Sequence, residues 1–228
     1  MVKLLRLQYF NAHFQYSRSS GWLYAMYGLK SDHMKIKFIF IVLCVTVFKL
    51  HAQVLTYTDF KKLVPALTQE DWKTAYKQSG ELLASVKDDS TEIHAMVVYI
   101  HLYAGAGMVA SKQMSYKKLR KEVMRYKGQK IVMAAHPITT KDGALNQTQL
   151  TCNDTACAAY SAAANKNGTT IFCFEKFTLK EKIQPEYFPA RTVVRCGGQL
   201  ENIELNPNES LIWIMRLTVT DAFVRALN

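Results

Sequence analysis

At Lys130 the apolar residues of this chain change period, and that change constrains the fold more than any other feature. Between Gln53 and Lys130 hydrophobic residues recur three and four apart, the spacing of one helix face. Beyond Lys130 they alternate, the spacing of one sheet face. Helices first and strands second predict an α+β protein with the two kinds of element segregated. The boundaries follow: a helical module over 53–130 and a β module over 131–228.

Within the first module, Thr58-Asp59 opens a short helix that Pro65 limits. Thr68 suits an N-cap for the next, with Glu70 and Asp71 in a first turn where the helix dipole favours anions. Trp72, Ala75, Tyr76, Leu82, Leu83 and Val86 form its buried face. Thr91 to about Ala110 is apolar nearly all round, which predicts a central helix. Gly105 and Gly107 lower helix propensity there and read as points of close helix crossing. Ser115 caps a fourth helix, striped by Tyr116, Leu119, Val123 and Tyr126 and ended by Gly128. The 68–87 and 91–110 helices have the size of a tetratricopeptide-like hairpin, plus one helix. No second copy recurs at a fixed period, so no array is expected.

In the second module, strands are predicted over 131–135, 145–152, 157–163, 169–177, 191–196, 200–205 and 211–219. Asn153-Asp154, Asn165-Lys166-Asn167-Gly168 and Asn206-Pro207-Asn208 supply turns, and Gly197-Gly198 a break. The last strand is apolar on both faces and therefore central. Short strands with a glycine bend predict a small closed or half-closed antiparallel β-barrel, OB-like in size.

Upstream, Met34-Lys-Ile-Lys precedes an apolar run from Phe38 to Phe48 and then Lys-Leu-His-Ala-Gln. Basic start, short greasy segment and a small residue at Ala52 make a signal peptide over 34–52, too short to span a bilayer. The expectation is a secreted or periplasmic protein beginning near Gln53, touching membrane only if the signal stays uncleaved. Residues 1–33, basic and aromatic without a period, read as an extension from a start placed too early, with a basic-aromatic arm as the alternative. From Gln53 onward 22 Lys/Arg face 17 Asp/Glu, a balance of +5 against +11 for the whole chain. That aids solubility and does not by itself announce a nucleic-acid binder.

Four cysteines follow the signal: Cys152, Cys157, Cys173 and Cys196. In an exported chain they predict two disulfides. Cys152 and Cys157 flank a four-residue chain reversal that would bring them within bonding range, leaving Cys173 to pair with Cys196 across the sheet. Zinc is set aside because only one close pair exists, so no metal is expected.

Catalytic signatures are absent from the sequence: no carboxylate pair, phosphate loop, metal-binding helix motif or serine elbow occurs. This favours non-enzymatic binding or envelope-associated interaction with a protein or ligand, and no cofactor is indicated. The rival reading is a thiol-dependent hydrolase or oxidoreductase built on Cys196 or Cys157 with His136. A third reading takes Lys117, Lys118, Lys121 and Arg125 on the basic helix as an anion-binding patch. Nucleic acid is argued against, because Tyr116 and Tyr126 fall on the apolar stripe and leave no stacking aromatics among the bases. Five phrases carry a resemblance: Met114-Ser-Tyr-Lys-Lys-Leu119, His136-Pro137, Arg195-Cys-Gly-Gly198, Asn206-Pro-Asn208 and Ile212-Trp-Ile-Met-Arg216. Together they make the chain similar to a group of uncharacterised secreted proteins of Gram-negative bacteria. The resemblance implies secretion and the two-part layout, and it brings no activity or site residues.

Overall fold

A computed structural model describes residues 54–86 and 90–227; the expected signal peptide and the 1–33 extension lie outside the described residues. Thr56, two residues before the expected start, caps helix α1 (Tyr57–Thr68). It forms a capping box in which the Asp59 amide donates to Thr56 Oγ1 and the Thr56 amide to Asp59 Oδ2. Pro65 lies inside α1 and does not limit it. Its face is exposed, so the carbonyl it frees one turn back can be hydrated. Nor does Thr68 cap the next helix; its hydroxyl turns back to the Val64 carbonyl at 2.8 Å. Asp71 caps α2 (Trp72–Ser85) instead, accepting from the Thr74 amide at 3.1 Å. Thr91 caps α3 (Glu92–Ala110), and Ser115 caps α4 (Tyr116–Val123) as its sequence context predicts.

Fourteen of the nineteen residues of α3 are buried, so its membrane-like hydropathy serves a protein core in this fold. Its glycines do mark close crossings. A β-carbon at Gly107 would sit 2.4 Å from the Trp72 ring, and one at Gly105 would sit 2.9 Å from Leu119 Cδ1. Trp72 is fixed from other sides too, edge-on to Phe172 at 4.9 Å and to Tyr103 at 5.7 Å. His101 is buried on the same helix, bonded to Ser79 Oγ at 2.9 Å and stacked on Tyr76.

The strands are β1 (Lys130–Val132), β2 (His136–Pro137), β3 (Thr148–Cys152), β4 (Cys157–Ala164), β5 (Ile171–Leu179), β6 (Val193–Leu205) and β7 (Trp213–Ala226). They form one sheet in the order β1-β6-β7-β5-β4-β3, with β2 also on β6. Two expectations are corrected. The sheet is mixed: after β5 the chain crosses to β6, and β7 returns between them, parallel to β5 and antiparallel to β6. It is also not a closed barrel. Only an isolated bridge from Ile138 to Thr148 links the β2 segment to β3. Pro137 offers no amide to extend that seam.

Gly197-Gly198 does not break the chain into two strands; β6 runs through it, shifting register between Gly197 and Gln199. A β-carbon at Gly198 would lie 2.6 Å from the Thr220 carbonyl, so glycine lets β6 bend closely against β7. Helices and sheet share one core: Trp72, Leu102 and Leu119 pack in the same cluster as Phe172, Leu200 and Leu217.

Candidate functional site

Between the helices and the β1–β4 side of the sheet lies a cleft of about 390 Å³. Its walls are largely apolar, with Phe60 and Leu67 from α1, Met96, Tyr99 and Tyr103 from α3, and Trp72 from the start of α2. Tyr99 and Tyr103 stack at 6.0 Å, one turn apart on α3. Lys166 straps the rim: its amide donates to Glu70 Oε1 at 2.7 Å and its ammonium to the Thr68 carbonyl.

Both wall tyrosines have committed hydroxyls. Tyr103 donates to the Ala164 carbonyl at 3.0 Å. Tyr99 donates to Glu175 Oε1 at 2.6 Å, and Ser161 donates to Oε2 of the same carboxyl. Glu175 is 3% exposed, on the inward face of β5 with Cys173 and Phe177. Burial pushes its carboxyl up to about 7, although the two donated hydrogen bonds pull the other way.

Two polar groups on the cleft are not so committed. His136 is 8% exposed and its Nδ1 has no hydrogen-bond partner in the protein. Burial lowers its imidazole to about 4, so it is neutral at neutral pH. Arg195 Nε is also buried without a partner. The Nη1 of Arg195 reaches Glu92 Oε1 at 3.3 Å, but Arg225 Nη2 takes the same oxygen at 2.6 Å.

The other expected site residues fall elsewhere. Cys152 and Cys157 face each other across the β3–β4 turn and are bonded, their α-carbons 4.1 Å apart. Asn153 Oδ1 fixes that turn by accepting from the amides of Thr155 and Ala156. The expected Cys173–Cys196 bridge is not formed; both are free, buried thiols. Cys173 is on β5 and Cys196 on β6, and β7 lies between these strands. On β7, Cys173 aligns with Met215 and Cys196 with Val224, so the two thiols are offset along the sheet as well as separated across it and do not face each other as a disulfide requires.

Burial raises both thiols well above their ordinary range, which removes the thiolate a nucleophile needs. With Cys157 bonded and Cys196 held neutral, His136 has no activated cysteine to serve. Lys117, Lys118 and Lys121 are exposed on α4. Arg125 lies past its end, in a 3₁₀ turn, ion-paired with Glu122. The four therefore do not form one free cationic face.

Sequence reasoning passed over Tyr99, Ser161, Glu175 and the role of Arg195. A signal for Glu175 was present: a lone acid in the strand Ile-Phe-Cys-Phe-Glu-Lys-Phe, in phase with inward-facing Cys173 and Phe177. Among the described residues no three His, Cys, Asp or Glu side chains gather as a metal site would require. No protein-family model, no curated protein and no solved structure matches the chain.

Proposed function

We propose that this is an exported, non-enzymatic binding protein that holds a small, mostly apolar ligand in the cleft between α1, α3 and the sheet. The observation that carries the reading is the cleft itself. Its volume of about 390 Å³ falls in the range of small-molecule sites, and its walls are aromatic and aliphatic with a few convergent polar groups. Binding is favoured over catalysis because the wall hydroxyls and the buried thiols are all held in unreactive states.

The scaffold reads as a tetratricopeptide-like pair, α2 with α3, set against an OB-like partly open barrel. In support of the second, three meandering strands are followed by a crossover and a last strand inserted beside the third, with one bridge at the seam.

The test uses an uncharged apolar probe, N-phenyl-1-naphthylamine, titrated into the purified protein. The expected outcome is saturable fluorescence enhancement at a single site. The cleft-filling variant Ala164→Leu, checked for an unchanged melting transition, is expected to weaken it at least tenfold. Ala164 lines the cleft and is only 4% exposed. No saturable enhancement, or equal binding by a folded Ala164→Leu protein, would remove the cleft as a ligand site.

A further inference from the structure

A second groove, of about 340 Å³, lies on the sheet face turned away from the buried Glu175 side chain. Strand register defines that face. Tyr160 on β4, Lys176 on β5 and Thr218 on β7 align in one row, and Ala162, Phe174 and Arg216 in another. The row between them, Ser161, Glu175 and Leu217, is buried in the core, so alternation turns the two flanking rows outward. The 138–147 loop forms one wall. It is pinned where Gln149 Nε2 donates to Asp142 Oδ1 at 2.7 Å and the Asn146 amide donates to the Ala162 carbonyl at 2.8 Å.

Rings and cations alternate on this face. Tyr160 is 40% exposed, and Phe174 lies diagonally across the β4–β5 ladder from it, a spacing of roughly 7–8 Å. Lys176 stands opposite Tyr160, Arg216 opposite Phe174, and Lys141 lines the groove from the loop. Arg216 lies over the Trp213 ring at 4.4 Å and shares its charge with Glu204 at 3.5 Å. Lys141 and Lys176 form no ion pair among the described residues. The face therefore carries the aromatics among its bases that the basic helix α4 lacks. It is also open: the Arg216 side chain is 52% exposed. A small-molecule site buries roughly 70–90% of its ligand, so this surface suits a chain laid across it.

We infer that the groove binds single-stranded nucleic acid, with bases stacked on Tyr160 and Phe174 and phosphates drawn to Lys141, Lys176 and Arg216. Every base has a flat face that an aromatic side chain can stack on, and every phosphate a charge, so such a surface reads no particular sequence. A duplex hides its base faces, and a sulfated glycan supplies charge without aromatic rings. Neither uses both halves of the surface. The inference is independent of the apolar cleft and adds a second ligand class.

Fluorescence anisotropy with a labelled oligothymidylate of about ten nucleotides tests this, against an abasic strand of the same length, the corresponding duplex and a heparin fragment of matched charge. Wild type is expected to bind the oligothymidylate at least tenfold more tightly than any of the three, with a log–log salt slope of about −2 for three phosphate contacts. Tyr160→Leu keeps an apolar side chain and removes the ring. It is expected to weaken the oligothymidylate at least fivefold and leave the abasic strand within twofold. Lys176→Gln is expected to weaken both strands alike and to reduce the slope by about 0.7. Both side chains are exposed, and the wild-type comparison decides even where a variant fails to fold. No binding of the oligothymidylate, equal affinity for the abasic strand, the duplex or heparin, or an undiminished preference in folded Tyr160→Leu protein would overturn the inference. None of these outcomes bears on the neutral-probe result in the cleft.

Discussion

Glu175→Gln isolates the ionisation of the one carboxyl that, among the described residues, is buried in the core. The wild-type side chain accepts from Tyr99 through Oε1 and from Ser161 through Oε2. A glutamine keeps the first contact through its carbonyl. Its amide can donate to Ser161 Oγ, whose hydroxyl has Met133 Sδ as another acceptor at 3.7 Å. The network therefore survives and only the charge is removed. Glu175 has an ordinary value of 4.5 and is raised by burial to about 7. A raised acid contributes its full stability below 4.5 and loses it as pH rises through about 7. Across that window the loss is about 3 kcal/mol.

Urea unfolding followed by tryptophan fluorescence is expected to give near-equal stabilities for wild type and Glu175→Gln at about pH 5, and a variant about 2–3 kcal/mol more stable at about pH 8. His101 and His136 act in the opposite sense, each lowered to about 4 by burial and losing stability as pH falls from 6.5. Both are common to the two proteins, so their contributions cancel in the difference. Glu175→Ala is the control. It strands the Tyr99 hydroxyl and opens a cavity, costing about 2–4 kcal/mol at both pH values. A wild-type-minus-Gln difference that stays flat between the two pH values would refute a neutral, buried Glu175.

Gly107→Ala should destabilise by about 1–2 kcal/mol, because the new methyl meets the fixed Trp72 ring, whereas Gly105→Ala meets the end of the Leu119 side chain at 2.9 Å and the Tyr76 ring edge at 3.4 Å and should cost less; thermal melts that rank them the other way would show that Trp72 yields. Replacing Cys152 and Cys157 together by alanine should cost about 2 kcal/mol or less, since the closed loop is short and Asn153 already holds the turn; loss of folding would contradict this. If α4 binds anions, Lys117→Gln with Lys121→Gln should elute earlier from heparin and flatten the salt dependence, and unchanged elution would leave those lysines merely solvated. N-terminal sequencing of exported material should begin at or near Gln53, and finding 1–33 attached would overturn the processing expected from the signal.

Features set by short-range chemistry were legible in the sequence. Ser115 caps the helix it precedes, Gly128 follows the last helical turn with φ 85°, and Asn153 shapes the turn between bonded cysteines. Apolar residues on both faces also marked the last strand as central, and β7 lies between β5 and β6. Features set by distant contacts were not. Thr68 resembles an N-cap until the Asp71 side chain is seen to take that place. The Gly197-Gly198 pair reads as a break, yet the approach of Thr220 and Ala222 requires glycine inside a continuous strand. Four cysteines invite two bridges until β7 is found between two of them. The cleft was least visible of all. It draws residues from α1, α3, β4 and β6, and no periodicity reports that these elements meet around one cleft.

The position of β7 bears on the order in which this chain can acquire structure during synthesis. Among the described strands β7 is the last made, and its two ladders join the β3-β4-β5 meander to β6 and β1. Until residues 213–226 have left the ribosome, β5 and β6 each carry a bare edge where β7 will lie. The nascent chain cannot complete its sheet early, and its unpaired edges stay exposed until that strand is available. A premature stop before Trp213 would leave a body of helices with two unpaired sheet fragments, open to pairing between chains.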